Sequence, residues 1–361
     1  MIMKNYSFDD IKRDLGDLRG ESFVSLDYSD VPCVETSSPS SLEPAPLVSV
    51  IMLAYNHEDF IAQSIEHVVN QKTVYPFELV IGEDCSTDRT KEIVLQYQKK
   101  YPHLIRVLSS DCNVGVKKNE WRVRRNCRGK YWAFCEGDDC WIDDRKLERQ
   151  CRILEDDPQV GLVFSDCRCV DAATGKGSSG FDYSSFAVGK WKKNVFIDLY
   201  LHDRINVYTC SVMLRPSEEM FACPSIFSSN VPMADVQLWC TAAKDHETYF
   251  IGEKLGQRNK HASSLTATWD PLKASLAGIF VKSFFISDIY GTSQAIEYLS
   301  VQISNLIGNV FTARKRYVCP VKKVFDIIKF IHKYNLSVTT KVRLKLFLLL
   351  TNGIFMRSSN K

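Results

Sequence analysis

The amino-acid sequence predicts an α/β protein with a mostly parallel central sheet and flanking helices, and three observations carry that expectation. Short apolar, β-rich runs recur without polar alternation, as strands buried on both faces require. Segments with helical spacing of apolar residues fall between them. Acidic and small polar residues collect directly after the apolar runs, at the edge where a parallel sheet presents its ligands.

The elements follow in order. Residues 1–46 read as an N-terminal extension, with a short polar helix over Asp9–Leu18 and a Ser/Pro-rich linker over Ser37–Pro46. Leu47–Ala54 is a buried strand, and Asp59–Asn70 is helical, with Phe60, Ile61, Ile65, Val68 and Val69 on one side. Phe77–Gly82 is a second strand, and Ser86 or Thr87 caps a helix that carries Ile93, Val94 and Tyr97. Leu104–Leu108 and Gly129–Cys135 are further strands, followed by a helix over Lys146–Leu154 and a strand over Val160–Ser165. Residues 171–230 are rich in Gly, Ser and aromatics and read as a long loop region with a short strand at Cys210–Leu214. Val236–Ala243 is helical and Tyr249–Leu255 a strand, and helices are expected over 271–290, 292–312 and 320–334.

The formal net charge of the 361 residues is +3, but it is unevenly spread. Residues 1–46 hold nine acids against four bases, and residues 314–361 twelve bases against one acid, Asp326. The mildly acidic middle argues against a nucleic-acid partner and confines the basic character to the tail. There the apolar stripe Val321, Val324, Phe325, Ile328 and Ile331 lies opposite Lys322, Lys323, Lys329 and Lys333. That pattern suits either peripheral contact with an anionic membrane surface through 320–350 or a helix packed on the main domain. No apolar run reaches the ~18 residues of a membrane span. The thirteen cysteines form no C-x-x-C pair, and Met1–Leu15 has no leader-like apolar stretch. The expectation is a reduced, cytoplasmic protein with buried thiols, peripheral at the inner face of the plasma membrane if the tail docks there.

The residues after the strands carry the chemistry: Tyr55, Asn56 and His57; Glu83 to Asp88; Asn113, Val114 and Gly115; Glu136 to Asp139. Asp138 and Asp139 are the sharpest feature. Adjacent carboxylates at a buried strand end repel, so they call for a cation or raised pKa values, whereas an Asp-Asp turn in water calls for neither. A hard divalent ion such as Mg2+ or Mn2+ takes one or two such carboxylates plus substrate phosphates.

Four segments resemble the family-2 glycosyltransferases in order and spacing: Val48–Asn56, Glu83–Asp88 with Thr90, Asn113–Gly115, and Gly129–Tyr131 leading to Glu136–Trp141. The match is close over about 47–170 and looser over 205–268. The resemblance implies a GT-A fold, Rossmann-like, over 47–270, with a nucleotide-binding half (47–140) and an acceptor half (141–270), followed by a helical basic C-terminal extension over 271–361. It implies an inverting transfer of a sugar from a nucleotide donor, a UDP-sugar by expectation, to the hydroxyl of a glycan or lipid-linked glycan in surface polysaccharide assembly. It places Ala54 and Tyr55 at the base and ribose, and Asp84 on the base. Asn113 and Gly115 fall under the ribose and diphosphate, and Asn119 near the sugar nucleotide. Asp139 is then the direct metal ligand, and Asp138 contacts ribose or metal. Asp235, in Ala234–Trp239, is the candidate general base, although an Asp there also caps a helix well. Asp166 is an alternative acid. Arg258 and His261 keep the spacing of the family's closing Arg and His, as diphosphate clamp and metal or phosphate contact, with Gln257 where a Tyr is usual.

Arg122, Arg124, Arg125 and Arg128 are expected on a solvated helix face rather than at the donor's phosphates, and Trp191, Trp239 and Trp269 in packing roles rather than stacked on a sugar acceptor. Two other readings compete. A sugar nucleotidyltransferase of similar fold would carry a Gly-rich basic loop after the first strand, where Tyr55–Asp59 stands instead. A non-catalytic nucleotide- or carbohydrate-binding module would not need the acids at 138, 139 and 235, all of which are present.

Overall fold

The structure, a computed structural model, describes residues 8–19, 27–221, 234–264, 270–312, 321–334 and 336. They divide into two compact units, one of residues 26–228 and 237–264, the other of 1–25, 229–236 and 265–361.

The first unit is built on a twisted mixed sheet in the order β1-β4-β3-β2-β5-β9-β7-β10-β6. Its strands are β1 (Val34–Thr36), β2 (Val48–Ala54), β3 (Phe77–Glu83), β4 (Ile105–Ser109), β5 (Tyr131–Phe134), β6 (Cys140–Trp141), β7 (Val160–Asp171), β8 (Gly189–Trp191), β9 (Met213–Leu214) and β10 (Glu247–Lys260). Strands β4, β3, β2 and β5 run parallel, with Val50 opposite both Leu79 and Ala133. Helices α2 (Ile61–Val69), α3 (Thr90–Lys100) and α4 (Val116–Arg124) connect them, and α5 (Lys146–Asp156) leads from β6 to β7. This is the βαβ alternation that unbroken apolar runs require, because a strand covered on both faces has no polar side to show. Val48, Val50, Ile51 and Met52 of β2 are all buried, as are Leu79, Val80 and Ile81 of β3.

Several details depart from the sequence expectations, each for a physical reason. The stretch read as extension and linker supplies β1, which pairs antiparallel with β4 at the sheet edge. There the buried Arg106 guanidinium holds Glu35 through both Nε (2.8 Å) and Nη2 (2.9 Å), and Glu78 through Nη1 (3.1 Å). The basic stretch 122–128 is a correction. Arg122 and Arg124 are buried, not solvated: Arg122 donates to Ser110 Oγ, the Glu83 carbonyl and Asn119 Oδ1, and Arg124 to the Met220 carbonyl. Charged side chains enter a core only when partnered in this way. Gly82 makes the close approach of α4 to β3 feasible, since a Cβ there would lie 2.5 Å from Asn119 and Val123.

Residues 171–221 hold more structure than a loop with one strand: β8, α6 (Val195–Leu201), a 3-10 turn at Thr209–Ser211, β9 and α7 (Glu218–Phe221). An aromatic cluster of Phe164, Trp191, Phe196 and Phe250 packs this segment, with ring centroids 5.0–5.9 Å apart around Phe164, Trp191 and Phe250. Trp191 and Trp239 are both buried, as packing roles require. β10 is longer than expected because register shifts between Ile251 and Gly256 let one 14-residue strand run on. It pairs parallel with β7 and antiparallel with β8 and β6.

Beneath the sheet, Lys146 at the start of α5 is fully buried. Its ammonium donates to Gln150 Oε1 at 2.6 Å and lies 4.4 Å from the Trp141 ring centroid. The described cysteines are free thiols, most of them buried.

The second unit is helical: α1 (Phe8–Arg19), α9 (Pro271–Tyr290), α10 (Thr292–Thr312) and α11 (Val321–Lys333). Ile11, Leu15 and Leu18 bury one face of α1, and the Asp14 carboxylate accepts hydrogen bonds from Tyr334 Oη (2.8 Å) and from Lys333. Ile327, Phe330 and Ile331 of α11 are buried, with Lys329 and Lys333 exposed. The side chains of 321–325, Trp269 and the tail beyond 336 lie outside the described residues. Helix α8 (Ala234–Lys244) contributes its first residues to this unit and Gln237–Lys244 to the other. Among the described residues no helix is long and apolar enough to cross a membrane.

Candidate active site

The carboxyl ends of β2, β3 and β5 and the last residues of β10 bring the predicted residues of the sheet unit together. Past β2, Ala54 is buried and Tyr55 is 44% exposed, a phenol ring presented at the sheet edge. Asn56 follows in a left-handed conformation (φ 55°), and its Oδ1 accepts the Thr87 amide at 2.9 Å. That bond ties the β2 and β3 ends together.

Past β3, Asp84 is buried and uses both oxygens on the chain: Oδ1 accepts the Val114 amide and Oδ2 the Gly115 amide, each at 2.9 Å. Asn113 Nδ2 returns a bond to the Asp84 carbonyl at 3.0 Å. Gly115, at φ +84°, allows the turn that launches α4, where a side chain would be strained. Asn119 is buried, with Nδ2 on the Gly82 carbonyl at 2.8 Å. Asp84 and Asn119 thus build the turn that presents Asn113 and Gly115. Burial pushes the Asp84 carboxyl above its ordinary range, against the two amides and Arg122.

Past β5, the Glu136–Asp139 loop is pinned onto β2: Glu136 Oε2 accepts the Leu53 amide at 3.2 Å, and the Gly137 amide donates to the Leu53 carbonyl at 2.9 Å. The two aspartates then face different neighbours. Asp139 is 7% exposed, and its Oδ1 accepts the Asn259 amide of β10 at 3.0 Å. Asp138 Oδ2 lies 3.0 Å from His261 Nε2 and 3.9 Å from His57 Nε2. Asn259 Nδ2 locks the pair by donating to the Asp138 carbonyl at 2.8 Å. His261 stacks on Phe60 with centroids 4.7 Å apart, and its Nδ1 is 2.8 Å from Ser263 Oγ. The Arg258 guanidinium lies over Tyr208, 5.7 Å from the ring centroid.

The electrostatics separate the neighbouring acids. Burial pushes Asp138 up, but the His261 hydrogen bond and the fields of His57 and His261 together hold it below the ordinary carboxylate range. Burial and then the Asp138 charge push Asp139 well above that range, and Glu136 likewise. Burial lowers His57, partly offset by Asp138. One ionised carboxylate, Asp138, thus faces two imidazoles, with two further acids held in reserve of charge behind it.

The sequence placed His57 among the residues after β2 without a specific task, and gave Phe60, Asn259 and Tyr208 no part in the site. The signal for His57 was its place directly after β2, the rule that located the acids. Asp235 lies in the first turn of α8 in the other unit, half-buried, with Oδ1 2.8 Å from the Val236 amide. Asp166, in β7, accepts the Cys167 amide at 2.5 Å and lies 4.0 Å from Lys254 Nζ.

Acids and imidazoles gathered at the carboxyl ends of parallel strands are the layout of an α/β fold that binds its ligand at the sheet edge. Residues 49–220 match the family model described as glycosyl transferase family 2. Over these residues the chain is similar to the family-2 glycosyltransferases, and its fold is that of GT-A glycosyltransferase structures. The "Uncharacterized protein Rv1520" of Mycobacterium tuberculosis is 30% identical over 218 residues, 60% of this chain and 60% of that protein. The "Putative teichuronic acid biosynthesis glycosyltransferase TuaG" of Bacillus subtilis is 37% identical over 109 residues, 30% of this chain and 42% of that one. The chain thus spans less than two thirds of these relatives. Among solved structures, residues 1–349 of S. aureus TarS in complex with UDP-GlcNAc align with TM-score 0.61 at 15% identity, covering 86% of this chain and 92% of that one.

Proposed function

We propose that this chain is an inverting glycosyltransferase that moves a sugar from a nucleotide sugar, a UDP-sugar, to the hydroxyl of a glycan or lipid-linked glycan. The observation that carries the reading is the ionised Asp138 set against His261 and His57 at the sheet's ligand edge, beside the Asp84-bound turn. The TuaG relative, named for teichuronic acid biosynthesis, supports an acceptor in surface polysaccharide assembly.

Each group has a task. Tyr55 offers its exposed ring to the base. The Asn113–Gly115 turn, held by Asp84, supports the ribose and diphosphate. Among the described residues no three His, Cys, Asp or Glu side chains are grouped so that they could hold a metal ion by themselves. A site with few protein ligands, open to phosphate oxygens, is the form that a substrate-bound Mg2+ or Mn2+ takes. Asp138 and His261 fit such a site. His57 fits behind them, its Nδ1 buried without a hydrogen-bond partner. Asp139 keeps the direct metal contact that the resemblance gave it, with Oδ1 steadied by the Asn259 amide. A divalent cation held there would supply positive charge to the diphosphate. Arg258, whose charge reaches Asp139, adds a second positive group. Asp235 takes the proton of the acceptor hydroxyl as its oxygen attacks the sugar carbon and the bond to the diphosphate breaks on the opposite face.

Calorimetry of UDP binding, with and without Mn2+, tests the reading on the wild-type protein and on Asp138→Asn. Wild-type binding should strengthen at least about tenfold with Mn2+, and Asp138→Asn should lose that gain. Equal binding with and without metal, together with no donor hydrolysis, refutes the proposal.

A further inference from the structure

A buried polar seam lies between α4 and α8. Lys117, Glu120 and Arg124 share one face of α4, at spacings of three and four residues, and Gln237 and Thr241 share one face of α8. Lys117 Nζ donates to Gln237 Oε1 at 3.2 Å, which sets the two faces against each other. Glu120 is 5% exposed and pairs with Arg124, Nε to Oε1 at 3.0 Å. Yet neither Glu120 oxygen receives a hydrogen bond among the described residues, and neither do Gln237 Nε2 and Thr241 Oγ1, also buried. Native proteins leave few such atoms, and several in one place mark a spot where a further molecule completes the bonding.

The seam sits beside the acid site. Asn119, next to Glu120, bonds the carbonyl of Gly82 one residue before the end of β3. Glu120 lies within electrostatic reach of Glu136, which holds the Leu53 amide two residues before Asp138. Helix α4 itself begins at the Asp84-bound turn. A diphosphate does not suit a buried carboxylate, because like charges repel. A polyhydroxylated ring does: its hydroxyl or amide hydrogens donate to the carboxylate, and its oxygens accept from Gln237 Nε2.

Resting on the transferase reading above, we propose that Glu120, with Gln237 beside it, recognises the sugar carried by the nucleotide donor and is a specificity-determining residue of this site. The family resemblance gave Glu120 no role, and the ion pair with Arg124 holds its carboxylate in place.

The test is calorimetry in the presence of Mn2+ with UDP, UDP-glucose, UDP-N-acetylglucosamine and GDP-mannose. The proteins are wild type, Glu120→Gln, Glu120→Ala and Gln237→Leu. UDP alone should bind all four proteins within about twofold, which also shows that the variants fold. The sugar nucleotide that the wild type prefers should bind Glu120→Ala at least about tenfold more weakly, because a charge-assisted bond is lost. The ranking of sugars should change in Glu120→Gln, which can donate where the acid only accepts. Equal loss for UDP and for the sugar nucleotide, or no loss for either, overturns the inference and leaves the transferase reading standing. A wild-type protein that binds no nucleotide sugar overturns both.

Discussion

Lys146 offers a quantitative check on how the sheet unit is built. Its ammonium is fully buried, bonded to Gln150 and set against Trp141, with no ion pair among the described residues. Burial pushes its pKa down to about 8 from 10.5. The sign follows from proton counting. Below about pH 8 both the folded and unfolded chains hold the proton, and the folded state carries the full penalty, about 3 kcal/mol for a shift of this size. Between about pH 8 and 10.5 the unfolded chain holds the proton more tightly, so stability from this group rises with pH. From about pH 7 to about pH 9.5 the gain is about 2 kcal/mol. Buried thiols act oppositely over the same range: burial raises Cys151 to about 12, so ionisation of unfolded thiols erodes stability. The quantity to measure is therefore the difference between wild type and Lys146→Met, by urea unfolding in reductant at both pH values. The variant also strands Gln150 Oε1, a pH-independent cost that cancels in the comparison. Wild type should gain about 2 kcal/mol on the variant as the pH rises. A difference that stays within about 0.5 kcal/mol, or that reverses, would show that Lys146 does not titrate as a buried, unpaired amine.

Three further outcomes are expected. Asp235→Asn should lower turnover about 10²- to 10⁴-fold while UDP affinity stays unchanged, read by steady-state kinetics beside calorimetry; a loss under threefold removes Asp235 from the chemistry. Asp84→Asn keeps one acceptor oxygen for the two amides of 114 and 115, so unfolding should show a loss of about 1–2 kcal/mol together with weaker nucleotide binding. Gly137→Ala places a Cβ 2.7 Å from His57 Nδ1 and 3.0 Å from the Leu53 carbonyl, and should cost about 1–3 kcal/mol and blunt the Mn2+ dependence of UDP binding.

The parallel core was legible because strands covered on both faces must be apolar throughout, as Val48–Ala54 and Phe77–Gly82 are. Helix α4 was misread for the converse reason. Its buried face carries Lys117, Asn119, Glu120, Arg122 and Arg124, and only pairing across the fold, invisible along the chain, makes those residues interior. The site divides in the same way. The acids after β3 and β5 stood out by position, whereas Arg258, within β10, and His261, just past its end, were named only through the resemblance. That Asp84 would spend both oxygens on backbone amides, and that His57 would turn toward Asp138, depended on how three strand ends meet. Burial of Ile327, Phe330 and Ile331 in α11 is likewise a tertiary fact, since the amphipathic stripe alone fits a lipid surface as well as a helix bundle.

Strand β1 has a practical consequence. The stretch before β2 looks disposable, and a cloner would trim it at the Ser/Pro-rich run. Doing so would strip Val34–Thr36 from the outer rung of the sheet and bare the β4 backbone, a template for another chain to dock onto. It would also take Glu35 from Arg106, leaving a guanidinium interred with half its counter-charge. A shortened recombinant version would thus be prone to clump during purification, a failure easily mistaken for an inactive enzyme.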